Sequence, residues 1–127
     1  MVLRDLTYKI NGAVFEVYRT LGEGFLEKVY ENALLFELQN QGLKVESQVP
    51  VPVYYKDNMV GDYIADLIIE DTVILELKTV DEISPIHKAQ LMNYLKATGK
   101  PLGLLVNFRG EKAIIHRLAL RSDGDSL

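Results

Sequence analysis

"VILELKTV", residues 73–80, decides the fold. Five of its eight residues are aliphatic, so it is a strand inside the protein. Side chains alternate across a strand, so Glu76 and Lys78 turn to one common face. Just upstream, "YIADLIIE" (63–70) is a second apolar strand, interrupted by Asp66 and joined to the first at Asp71. Just downstream, Ser84 caps and Pro85 starts a helix running to about Thr98, ended by Gly99 and Pro101. "LGLLVNF" (102–108) follows as a strand. Strand, crossover helix and strand make a parallel unit. The hairpin before it is antiparallel, so the sheet is mixed.

Working outward, "KAIIHRL" (112–118) adds a strand. "LKVESQVPVPVYY" (43–55) alternates and is rich in Val and Tyr. It reads as an edge strand, because Pro50 and Pro52 cannot donate to a central ladder. "KDNMVGD" (56–62) reads as the turn after it. Leu3, Leu6, Ile10, Ala13, Val14, Val17 and Leu21 recur at spacings of three and four, the mark of an amphipathic helix. Gly22 and Gly24 interrupt it. A second helix runs from about Phe25 to Gln41 and stops at Gly42. The order is ααβββαββ: an α/β domain with a mixed sheet flanked by helices. One domain spans residues 1–120, and a polar tail follows at 121–127.

The chain has 127 residues, 48% of them hydrophobic, enough for one real core. It contains no cysteine, which excludes disulfides and thiolate metal sites. No apolar run approaches a membrane span, and the charged N-terminus does not read as a signal peptide. A soluble cytoplasmic protein is expected, with no membrane association. The net charge is −4 but unevenly spread. Residues 1–77 hold six Lys and Arg against thirteen Asp and Glu, and residues 78–117 hold seven against three. The second half could offer a basic surface, or simply an uneven solvated one.

A buried carboxylate is costly unless it is paired or binds a cation. Asp66 and Glu76 are equidistant from Asp71, so a hairpin centred there sets them directly opposite each other. A two-residue loop at Glu70–Asp71 would throw them to opposite faces, so an odd-numbered loop or a bulge is required. Two facing carboxylates repel, and a divalent cation relieves the repulsion. Ligands that are all oxygen suit Mg²⁺ or Mn²⁺. Lys78 on the same face could orient a water and steady developing negative charge. The plainer alternative is an ion pair of Asp66 or Glu76 with Lys78 and no metal.

The spacing D…E-x-K across two strands, followed by Gln90 and Tyr94 of "QLMNY" on one helix face, resembles the PD-(D/E)XK nuclease superfamily. Upstream, Gly24, Glu27 and Tyr30 of "GFLEKVY" match G-x-x-E-x-x-Y, which names a small prokaryotic family in that superfamily, the GxxExxY proteins. "GEGFLEKVYENAL", "ELKTV" and "PIHKAQLMNYL" are similar to that family in the same order, over roughly Leu6 to Leu118. The resemblance implies a restriction-endonuclease-like fold. It implies that Asp66, Glu76 and the Leu77 carbonyl bind a metal, and that Lys78 is the catalytic lysine. It implies that Glu27 approaches the site from its helix and can hold a second metal or its water. Gln90 and Tyr94 would orient the site or touch a phosphate, and Tyr30 is grouped with them as substrate-binding. Two positions depart from the pattern: Ala65 stands where proline often precedes the first Asp, and Ile64 where an arginine is expected. Taken without the resemblance, Glu27 and Glu31 are a solvated helix face, Tyr30 and Tyr94 pack, and Gln90 caps a backbone group. His87 belongs to the surface, and His116 has no role.

These residues point to a Mg²⁺- or Mn²⁺-dependent nuclease acting on nucleic acid. The alternative is a catalytically silent nuclease-fold module that binds nucleic acid or protein. A hydrolase of another phosphodiester would use the same groups. A chain of this size would need a homodimer to grip a duplex.

Overall fold

The heptad-like run of apolar residues near the N-terminus forms α1 (Leu3–Leu21), and α2 (Glu27–Asn40) follows the glycine-broken turn. Then come β1 (Val45–Tyr55), β2 (Asn58–Ile69), β3 (Val73–Lys78), α3 (Pro85–Thr98), β4 (Leu102–Asn107) and β5 (Ile114–Ala119). This computed structural model describes residues 1–120, and the polar tail expected at 121–127 lies outside the described residues. The order ααβββαββ and the restriction-endonuclease-like α/β architecture are those read from the sequence.

The five strands lie side by side in chain order, β1-β2-β3-β4-β5. All neighbours are antiparallel except β3 and β4, which α3 joins as a parallel pair. The proline-bearing β1 is an edge strand, where a missing N–H leaves no gap in a central ladder.

Each face of the sheet carries its own core. On one, Leu6, Ile10, Val14 and Val17 of α1 and Leu34 and Leu38 of α2 pack on Leu67, Leu75, Leu77, Leu104 and Val106. On the other, Leu91, Tyr94 and Leu95 of α3 pack on Ile68, Ile74 and Leu105. Ser84 caps α3 by accepting the His87 N–H (3.3 Å), and His87 Nδ1 accepts the Ser84 N–H in return (3.0 Å). That gives His87 a reciprocal capping role. Gly103 of β4 lets α3 settle close, since a Cβ there would lie 2.9 Å from three Leu91 carbons.

The turn read at 56–62 is only Lys56–Asp57, both left-handed (φ 47° and 68°), and β2 resumes at Asn58 opposite Tyr55. Positive φ at both loop residues matches the twist of the flanking strands, so two residues reverse the chain, Met59 returns to the ladder opposite Tyr54, and Val60 is the extra residue where the register shifts before Gly61 pairs with Val53. The consequence is a long β1–β2 ribbon, of which β3 covers only Leu67–Ile69.

Candidate active site

The β2–β3 hairpin turns through Glu70, Asp71 and Thr72, and pairs Ile69 with Val73. Glu70 and Asp71 are left-handed (φ 53° and 54°), and the Thr72 N–H donates to the Ile69 carbonyl (3.0 Å). The loop is odd-numbered, as the facing carboxylates require, and its register sets Asp66 opposite Glu76.

Backbone pairing stops at Leu67 and Leu75. Beyond that point the strands fork, and carboxylates take the place of rungs. Asp66 Oδ2 accepts the Leu77 N–H (2.8 Å), and Glu76 Oε2 accepts the Asp66 N–H (2.7 Å). Among the described residues, Asp66 Oδ1 and Glu76 Oε1 have no protein partner, and neither is sealed from solvent. The Lys78 carbonyl accepts from the Phe108 N–H (2.9 Å), so by alternation the Leu77 carbonyl faces the fork.

Glu76 is only 5% exposed. Burial first, and then the charge of Asp66, push its carboxyl from the usual 4.5 up to about 8. Burial also raises Asp66, against the opposing pull of the Leu77 N–H bond. Two proton-hungry carboxylates with one open oxygen apiece and a backbone carbonyl beside them are a donor set that fits a hard divalent cation. Among the described residues no three acidic or histidine side chains converge on a common metal position, so carbonyl and water oxygens would complete the shell.

Lys78 is half-buried beside this pair. Among the described residues its amine makes no ion pair and no hydrogen bond, so the plain acid–lysine pair does not form. Tyr94 comes from α3, 2% exposed, with its ring 5.6 Å from that of Tyr63. Burial and then the charges of Glu76 and Asp66 drive its phenol up to about 12. Gln90, one helical turn earlier, is half-buried.

From the opposite face α2 brings Glu27, whose Oε2 accepts the Thr79 N–H (3.3 Å) just past Lys78. Glu27 is exposed, and its charge also raises Asp66. Tyr30 is fully buried. Its ring stacks on Phe108 (4.5 Å), and its hydroxyl donates to the Gly22 carbonyl (2.6 Å) and accepts the Phe25 N–H (3.2 Å). It thereby fastens the turn that precedes Glu27. A cavity of about 270 Å³ opens next to Thr79, lined by Phe25, Tyr30 and Arg109 among others.

Glu31, expected with Glu27 on a solvated helix face, is instead buried. It is 5% exposed, paired with Lys28 (3.0 Å), and its charge raises both Asp66 and Glu76. Its position four residues after Glu27 and next to core Tyr30 is a signal that could have found it.

A model of the PD-(D/E)XK nuclease superfamily matches residues 4–118. No curated protein sequence matches the chain. Among solved structures, one described as the crystal structure of SSO0001 superposes with a TM-score of 0.59 at 23% identity. The match covers 76% of this chain and 52% of that one, so this chain spans about half the length of that relative. At that identity the likeness speaks for the fold.

Proposed function

Since the chain belongs to the PD-(D/E)XK nuclease superfamily, we propose that it is a divalent-cation-dependent nuclease that cuts nucleic-acid phosphodiester bonds at the β2–β3 fork. The observation that carries this reading is the oxygen that each of Asp66 and Glu76 leaves without a partner among the described residues, beside a Lys78 amine that is also free among them. Asp66, Glu76 and the Leu77 carbonyl would hold Mg²⁺ or Mn²⁺. When bound, such an ion polarises the scissile phosphate and acidifies water. Lys78 orients the attacking water and stabilises the negative charge that grows on the phosphate oxygens. Tyr94 walls the site from the α3 side, with Gln90 toward the incoming phosphate backbone. Glu27 fixes the backbone just beyond Lys78.

We further place the protein in the GxxExxY group. Gly24, Glu27 and Tyr30 support this, and the Tyr30 hydroxyl bridging Gly22 and Phe25 gives that motif a physical purpose. Residues 1–120 would be one nuclease-like domain.

The test is cleavage of a panel of single- and double-stranded DNA and RNA with Mg²⁺ or Mn²⁺, comparing wild type with Lys78→Ala. Cleavage by the wild type alone is expected. A wild type that cuts nothing and shows no change in melting temperature with either ion would instead be a silent nuclease-fold module.

A further inference from the structure

Gln48 lies in the middle of β1 yet has a left-handed backbone, φ 53°. Side chains other than glycine rarely adopt that region, and such strain persists only where its surroundings hold it. Its place is specific. The β1–β2 register runs from Val45↔Ile69 to Val53↔Gly61 with one rung missing, Gln48 opposite Asp66.

The missing rung has two consequences. Both strands exchange faces at it: Val45, Leu67 and Ile69 belong to the α1/α2 core, whereas Val49, Val51 and Ala65 belong to the α3 core. Regular alternation would keep these odd-numbered residues together. Even-numbered residues of this end of β2 turn their N–H toward β1, as Glu70 does in donating to the Lys44 carbonyl (2.8 Å). Asp66 does not, and its N–H is given to Glu76 instead.

The Gln48 side chain works toward the same place. Its Nε2 donates to both oxygens of buried Glu31, at 3.1 Å each. Lys28 neutralises Glu31 from the solvent side.

We propose that Gln48 is a positioning residue: its left-handed backbone releases Asp66 toward Glu76, and its amide fixes the buried Glu31 carboxylate as a neighbouring charge outside the cation's own ligands. This rests on the divalent-cation reading above. A residue that orients charge around a metal typically changes metal affinity ten- to a hundredfold when replaced.

Two variants test it, read by Mn²⁺ titration calorimetry and by the melting temperature without metal. Gln48→Asn keeps an amide and a residue type that tolerates the left-handed region, but is one methylene too short for Glu31. It should fold normally and bind Mn²⁺ about tenfold more weakly. The double variant Glu31→Gln with Gln48→Glu reverses the pair, retaining its hydrogen bond and net charge while moving the carboxylate to the sheet edge. It should melt like the wild type and still bind Mn²⁺ weakly. Wild-type Mn²⁺ affinity in Gln48→Asn, or recovery of that affinity in the double variant, would overturn the proposal while leaving the nuclease reading standing. A wild type that binds no Mn²⁺ would remove both.

Discussion

The two ends of the β2–β3 hairpin are a few residues apart and obey different rules. At the closed end, Leu67–Ile69 pair with Val73–Leu75 through the backbone, and their side chains fill the two cores. At the open end, the same strands part, and the carboxylates of Asp66 and Glu76 bond the backbone groups that the ladder leaves. The closed end maximises burial. The open end accepts buried carboxylates that only a proton or a cation relieves. The difference teaches that the site is made by interrupting the sheet rather than by decorating it.

That contrast can be broken from either side. The largest effect should come from the open end. Asp66→Asn or Lys78→Ala should lower kcat roughly 10²–10³-fold or more in a nuclease assay, with the circular dichroism spectrum unchanged. Equal loss of secondary structure would show that these residues hold the fold instead.

At the closed end, Leu75→Ala removes a fully buried side chain and should cost about 2–5 kcal/mol in urea unfolding. The surviving folded fraction should still cleave, because Leu75 touches the core and not the fork.

Acidity separates the two ends next. The Glu76 carboxyl sits at about 8 in the fold and near its ordinary 4.5 when unfolded. The native state therefore holds a proton that the unfolded chain has lost between those values, and stability falls as pH rises from about 4.5 to about 8. The slope is at most about 1.4 kcal/mol per pH unit per proton. Asp66, also raised, acts in the same direction. Melting temperatures in chelator should decline over this window, Glu76→Gln should flatten the decline, and Mn²⁺ should protect most at the alkaline end. A metal-free profile that rises with pH would contradict the burial of Glu76.

The smallest effect should lie away from both ends. Ser84→Ala removes the α3 cap and should cost about 1 kcal/mol, with cleavage intact once folded. A large loss of activity there would mean that the start of α3 reports directly to the fork.

The sequence by itself determined the element order, the parallel β3–α3–β4 unit and the opposition of Asp66 and Glu76. Those follow from hydrophobic period, capping residues and symmetry about Asp71, which are local properties of the chain. It also set Glu76, Lys78, Gln90 and Tyr94 on predictable faces, because strands and helices have fixed periods. Only the tertiary structure decided that the ladder ends at Leu67 and Leu75, that Lys78 has no partner among the described residues, and that Glu31 is buried. It alone showed Gln48 in a left-handed conformation across from Asp66. Nothing in "VESQVPV" marks that residue, since its neighbours continue to read as an alternating strand. Its strain is supported by a partner distant in sequence, Glu31 on α2, and such long-range support leaves no trace in a local pattern.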